Sequence, residues 1–212
     1  QLEAMSSLTF QDLGAGLDFQ EIWDLQEDLV QRRQDQKIKD TILLLEHAPV
    51  YTIGRTRDKA SLELHQDLPY PVVEINRGGQ GTFHGPGQLV GYAIIDLTQR
   101  IKDLHLHLRN LEEAIIISLR ILGITATRRE GQTGVWIENR KIASLGVGVR
   151  SWVTLHGFAL NVQNLSLEPF QMITPCGIDG ITMTSIENEM SRTVSMKEIK
   201  DIMTDSLQKI FH

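Results

Sequence analysis

Arg77-Gly-Gly-Gln-Gly-Thr-Phe-His-Gly-Pro-Gly-Gln88 lies between two apolar runs, Tyr70-Pro-Val-Val-Glu-Ile-Asn76 and Leu89-Val-Gly-Tyr-Ala-Ile-Ile-Asp96. Six of the chain's 17 glycines fall between Arg77 and Tyr92. The pattern predicts a long glycine-rich loop joining two buried strands. Glycine permits positive φ and lets a ligand lie against bare backbone. A tight hairpin turn needs one or two glycines. This segment has more, and it adds Arg77, Gln80 and His84. A ligand-binding loop is therefore expected, since functional groups concentrate on loops held by a rigid scaffold.

Outward from this loop the chain alternates between strand and helix signals. Leu8–Leu13 alternates as a strand does, and Phe19, Ile22, Trp23, Leu29 and Val30 recur at helical spacing from Asp18 to about Lys37. Asp18 suits the N-cap. Thr41–Glu46 and Val50–Gly54 read as buried strands, broken by His47-Ala-Pro49 and followed by Arg55 and Arg57. A second helix is expected over Asp103–Leu122, with Leu106, Leu111, Ala114, Ile115, Leu119 and Leu122 on one side and Gly123 at its left-handed end. His105 and His107 lie two apart, do not share a helix face, and read as surface residues rather than metal ligands. Thr125–Thr127, Gly134–Glu138, Lys141–Val149 and Val153–Asn161 read as strands, the last two as an antiparallel pair. The glycines of Lys141–Val149 predict a bulge or a close backbone approach. Ser195-Met-Lys-Glu198 is a capping box opening a final helix to about Phe211. The expected fold is α/β: one domain over residues 1–212, with a mixed sheet flanked by helices.

Composition is that of a globular protein: 41% hydrophobic, 23% charged, net charge −6. The negative balance argues against nonspecific nucleic-acid binding. No apolar run is long enough to span a membrane, and the first residues do not resemble a signal peptide, so a cytoplasmic location is expected. Arg128, Arg129, Arg140, Lys141 and Arg150 cluster in one third of the sequence and predict a local basic face for an acidic partner.

The single cysteine, Cys176, sits in Ile173-Thr-Pro-Cys-Gly-Ile178. One cysteine cannot form an internal disulfide, which fits a reducing compartment. Most lone cysteines are small buried hydrophobes. Here Pro175 fixes φ on one side and Gly177 frees the backbone on the other, a turn able to present a thiol as a nucleophile. A thiol nucleophile needs a base or cation to raise its thiolate fraction. His47, His84, His156 and Lys141 are all candidates, and spacing alone does not choose among them. A P-loop, a G-x-S-x-G elbow and a strong dinucleotide fingerprint are absent from the sequence.

Four ordered blocks resemble the lipoyl(octanoyl) transferases: Arg77–Val90; Leu44–Arg55; Gly134-Val-Trp136 with Lys141–Gly146; and His156–Asn161 with Pro175–Ile178. The resemblance spans roughly residues 8 to 180. It implies a fold similar to biotin and lipoate protein ligases and a reaction without cofactor or metal. An octanoyl group would pass from acyl carrier protein to Cys176 as a thioester. It would then pass to a lysine of a lipoyl domain, in a 2-oxoacid dehydrogenase complex or in the glycine cleavage H protein. Lys141 matches the family's cysteine-activating lysine. The segments Arg77, Gly78, Gly79, Gln80, Gly81, Thr82, Phe83 and His84, then Ser144, Leu145 and Gly146, then Gly157, Phe158 and Ala159 match its acyl-binding residues. A monomer is expected. The sequence departs from the pattern at Gly81, where valine is expected, and at Phe83, where tyrosine is expected. The alternatives are an ATP-dependent lipoate ligase, in which Cys176 would be incidental, and a noncatalytic acyl-protein binding module. Neither needs Cys176 and Lys141 together.

Overall fold

The computed structural model of the chain describes residues 8–54, 67–75, 81–173 and 181–212. Its centre is a twisted sheet whose strands run in the order β1 (Thr9–Leu17), β2 (Thr41–His47), β6 (Gln88–Ile94), β10 (Val153–Asn161), β9 (Arg140–Arg150), β8 (Gln132–Ile137) and β7 (Thr127–Arg129). β1 and β2 are parallel and the other neighbours along this path antiparallel, giving the expected mixed sheet. A short β11 (Thr182–Met183) runs parallel to β9 at Arg140 and Lys141, just beyond the point where β10 leaves that edge. A smaller sheet has the order β4 (Val72–Ile75), β3 (Val50–Gly54), β5 (Thr82–His84).

One face of the main sheet is covered by α1 (Phe19–Gln34), the other by α2 (Leu104–Ile121) and α4 (Met196–Ile210). The helices begin where the sequence supplies caps. Asp18, Asp103 and Ser195 each accept a hydrogen bond from the backbone N–H three residues on, at 3.0, 3.0 and 3.2 Å. Gly123 ends α2 at φ +80. Caps locate the ends, but burial holds the helices down. A fully buried Leu contributes about 2 kcal/mol against about 1 kcal/mol for a cap, and α2 alone buries Leu111 and Leu119 completely. α3 (Ile186–Met190) is a short helix after β11.

Several expectations change. The glycine-rich segment is not one loop: Thr82–His84 form β5, paired with Val50–Thr52 of β3. The strand before it is not buried, because β4 is an edge strand with Val72 exposed. The strand at Thr125–Thr127 instead starts at Thr127. His107 is buried, not a surface residue, at 2% exposure, while Leu106 faces solvent. Position 107 lies one turn before Leu111 and so continues the apolar stripe of α2, where its ring packs 5.6 Å from that of Phe211. His105 is exposed, as expected.

Candidate active site

The two faces of the main sheet differ in chemistry. Under α2 and α4 the side chains are apolar: Ile42, Leu89, Ile95, Phe158 and Leu160 belong to one cluster. Under α1, Leu43, Leu45, Val90 and Leu155 start a second apolar cluster, but polar groups continue it. β9 and β10 pair so that Ser144 faces Ala159 and Gly146 faces Gly157. Ala159 belongs to the α1-side cluster. Alternation then places Ser144, Gly146 and Gly157 on the same side. The result is a strip without large side chains. Along β9 the small residues run from Ser144 to Gly148, about 13 Å at 3.3 Å per residue, and the side chains of Leu155 and His156 close the strip at its Gly148 end. α1 lies over β6 and β10, and Ser144 and Gly146 remain half-buried. Gly157 is required for a different reason. A Cβ there would overlap the carbonyl oxygen of Gly91 on the paired strand β6.

Two backbone irregularities put polar residues onto this face. The register between β8 and β9 shifts: Val135 pairs Ala143, but Trp136 pairs Lys141, so Ile142 is the extra residue of a bulge. Ile142 and Ala143 both sit in the α2-side cluster, as do Val135 and Ile137. Trp136 therefore points to the opposite face, and Lys141 goes with it, its Nζ 5.3 Å from the indole centroid. Strict alternation would have put Lys141 and Ser144 on opposite faces; the bulge puts them on one. Lys141 is 2% exposed. In β10, His156 adopts φ +63. Phe158 and Leu160 point toward α2, and an unkinked strand would send His156 the same way. Instead its ring lies 6.0 Å from Trp23 and 6.2 Å from Tyr92, and its backbone N–H donates to Gln26 Oε1 of α1 at 2.7 Å.

The strip is bounded by a polar and aromatic network. Gln88 Nε2 donates to Phe83 O (2.9 Å) and to Asn161 Oδ1 (3.1 Å). This fixes Gln88 Oε1 as the acceptor for His84 Nδ1–H at 2.7 Å. The His84 ring stacks on Phe19 at 6.0 Å and lies 5.7 Å from His47. Burial lowers the His47 pKa to about 4, against which its bond to Leu17 O acts weakly, so the ring is neutral near pH 7. Its Nδ1 must donate to Leu17 O (3.1 Å), which leaves Nε2 to accept from the Tyr92 hydroxyl at 2.6 Å. With both nitrogens so engaged, His47 is an orienting residue rather than a base for a thiol.

The expected site residues divide as follows. Ser144, Gly146, Gly157 and Ala159 share the strip. Leu145 and Phe158, from the same segments, turn their side chains into the α2-side core, where the Phe158 ring occupies the space a side chain at Gly91 would need. Thr82 and Gly81 are buried, and Phe83 and His84 point to opposite faces of β5. Phe83 packs 5.3 Å from Tyr51 and 5.8 Å from Phe170, in a cluster with Ile173. That position is therefore filled by an aromatic ring used for packing. Arg77, Gly78, Gly79, Gln80 and Cys176 lie outside the described residues. The chain is described up to Ile173, beside Phe83, and again from Ile181, next to the residues that pair with Arg140 and Lys141. Among the described residues, no group of three or more His, Asp, Glu or Cys could hold a metal ion.

The arginine cluster is largely neutralised within the chain. Arg128 bonds Glu112 and Glu113, Arg140 bonds Glu189 and Glu138, and Arg150 bonds Glu27. Arg129 donates to Glu138 O and lies 5.1 Å over Trp136. The basic face expected from the sequence is thus mostly consumed by internal pairs. Residues the sequence reading did not single out are Gln88, Asn161, Tyr92, Gln26 and Glu112. Their signal is polar type inside apolar runs, visible only once the neighbouring strands are known.

The family model described as the lipoyl protein ligase A/B catalytic domain matches residues 18–208. The chain is 49% identical to an octanoyltransferase of Geobacter sulfurreducens over 88% of this chain and 77% of that protein. Among solved structures it superposes on the bipartite lipoate protein ligase of Thermoplasma acidophilum, studied with its E2 lipoyl domain. The TM-score is 0.68 at 16% identity, over 98% of this chain and 84% of the other. It also superposes on the biotin protein ligase of Aquifex aeolicus with a TM-score of 0.52 at 12% identity, over 97% and 68%. These two likenesses describe the fold.

Proposed function

The chain belongs to the octanoyltransferases of the lipoyl protein ligase A/B catalytic-domain family, and we propose that it moves an octanoyl group from acyl carrier protein to the lysine of a lipoyl domain through a thioester on Cys176. In the first half-reaction the Cys176 thiolate attacks the carrier's thioester carbonyl. The C–S bond to the carrier breaks, and the carrier leaves as its thiol after taking up a proton. In the second, the neutral ε-amine of the acceptor lysine attacks the enzyme thioester, an amide forms, and Cys176 leaves as thiolate. Lys141 accepts the proton from the thiol and later the one the incoming amine releases. The octanoyl chain lies along the strip of Ser144, Gly146, Gly157 and Ala159, with Arg77, Gly78, Gly79, Gln80 and His84 at its carbonyl end. Acceptors are lipoyl domains of 2-oxoacid dehydrogenase complexes and the glycine cleavage H protein. The enzyme works as a cytoplasmic monomer without cofactor.

One observation carries the reading: the bulge at Ile142 puts a buried lysine on the face that carries the small-residue strip, beside the strand that follows the cysteine segment. A thiol in apolar surroundings ionises poorly. An ammonium about 4 Å away offers up to about 4 kcal/mol at an effective dielectric of 20, before desolvation is subtracted. The test is transfer from octanoyl-carrier protein to an isolated lipoyl domain with ATP omitted. Product should appear with wild type and vanish with Cys176→Ala. Product that requires octanoate and ATP, and survives Cys176→Ala, would assign the chain to the ligases instead.

A further inference from the structure

Lys141 is useful only if its ammonium is held in one place, and a four-carbon side chain does not hold itself. Its surroundings do. Gly134 on β8 has φ +137, a conformation that side-chain-bearing residues rarely adopt. A Cβ at Gly134 would lie 2.9 Å from Lys141 Cε, 2.8 Å from the Trp136 ring and 3.0 Å from Ala143 O. The missing side chain is therefore the slot through which the lysine passes. Gly134 is itself fixed from behind: its N–H donates to Glu112 Oε1 of α2 at 3.0 Å. Glu112 is 0% exposed, and its other oxygen is held by Arg109 at 2.7 Å and Arg128 at 3.0 Å. A buried carboxylate with this many donors is rigid, and removing it would leave Gly134's N–H and two cations short of an acceptor.

Beyond the slot the ammonium meets the Trp136 indole, 5.3 Å from its centroid. Arg129, from the strand on the other side of β8, lies 5.1 Å from the same centroid. A buried indole ordinarily satisfies its N–H. Here Nε1 is buried and makes no hydrogen bond, so what the ring supplies is its face. Of the neighbouring cations, Arg140 pairs with Glu138 and Glu189, and Arg129 donates to the Glu138 carbonyl.

We propose that Glu112, Gly134 and Trp136 are positioning residues that fix the Lys141 ammonium where it acts on the thiol: Glu112 as anchor, Gly134 as slot, and Trp136 as platform. This rests on the assignment of Lys141 as the group that ionises Cys176. The test measures iodoacetamide alkylation of Cys176, the only cysteine, as a function of pH. Alkylation is followed in wild type, Lys141→Ala, Trp136→Leu and Trp136→Phe, with octanoyl transfer and thermal unfolding measured for each. Trp136→Leu removes the π face and should shift the alkylation midpoint upward, in the direction of Lys141→Ala, and slow transfer about tenfold. Trp136→Phe keeps a face, folds without the unsatisfied N–H, and should show the same shift to a smaller extent, with transfer reduced about threefold. A purely packing role for Trp136 would lower the unfolding temperature and leave the alkylation profile where it is. Coincident profiles for wild type and both Trp136 variants, with Lys141→Ala shifted, would overturn the positioning role while leaving the Lys141 assignment intact. An unshifted Lys141→Ala profile would overturn both.

Discussion

The two faces of the main sheet are built from the same strands by different rules. Toward α2 and α4 the buried side chains of the strands are apolar and the helices close over them, the buried polar groups on that side, Glu112, His107, Ser118 and Ser206, belonging to the helices themselves. Toward α1 the rules are broken twice, by the bulge at Ile142 and by the left-handed His156, and polar groups are buried in numbers: Gln88, Asn161, His47, His84 and Lys141. Burying polar groups is costly unless each is partnered. Bulges and strained residues persist only where the surrounding structure enforces them. The contrast teaches that the α2 side makes the fold and the α1 side spends part of that stability on the buried polar groups of the candidate site.

The sharpest way to break this comparison is to move the lysine from one face to the other. Ile142 faces α2, so exchanging the two residues, Lys141→Ile with Ile142→Lys, turns the ammonium away from the strip. Octanoyl transfer should fall about as far as in Lys141→Ala, on the order of 10² to 10⁴ in kcat/KM, with circular dichroism retained. Near wild-type transfer by the folded exchange variant would show that the face on which the lysine sits does not matter.

A second experiment places the same change on each face. Gly146→Val puts a branched side chain into the strip and should cut octanoyl transfer at least tenfold while sparing acetyl transfer. Leu145→Val, one residue away but facing the core, should instead cost about 1 kcal/mol of stability with little change in transfer. Equal effects of Gly146→Val on both acyl lengths would remove the strip from the acyl site.

The smallest effects concern two buried histidines, one on each side. Burial lowers both to about 4 from an ordinary value of 6.5, helped for His107 by Arg100. The unfolded chain binds more protons than the folded one between pH 6.5 and 4. Their contribution to stability is therefore complete above about pH 6.5 and is lost as the pH falls toward 4. His47 uses both ring nitrogens, so His47→Leu should cost about 2 kcal/mol at pH 7. Neither nitrogen of His107 has a hydrogen-bond partner. His107→Leu should therefore raise stability by about 1 kcal/mol at pH 7 and flatten the acid limb of the curve. Urea unfolding across this pH range checks both signs.

The regular face was legible in the sequence, and the irregular face only in part. Caps at Asp18 and Ser195 follow from residue type at the helix starts, and the apolar stripe of α2 and the pairing of β9 with β10 from local periodicity; together they implied the mixed sheet and its helices. Lys141 could be singled out through its motif, but its face could not. A bulge is a property of two strands in register, and neither strand alone encodes it. His107 was misread because its type outweighed its spacing: one turn before Leu111, it belonged to the stripe. The arginine cluster was misread because its partners, Glu27, Glu112 and Glu189, are distant in sequence and adjacent only in the fold. Glu112, Gln88 and Asn161 show in the sequence only as polar residues in largely apolar segments, and that signal does not say what each one bonds.

The central claim is that this chain carries its acyl group on sulfur before giving it to nitrogen. The most direct measurement is the intact mass of the protein after mixing with octanoyl-carrier protein in the absence of an acceptor. The account predicts one octanoyl adduct, mapped to Cys176, removed by hydroxylamine and discharged when a lipoyl domain is added. A hydroxylamine-stable adduct on Lys141 with Cys176 unmodified would contradict it.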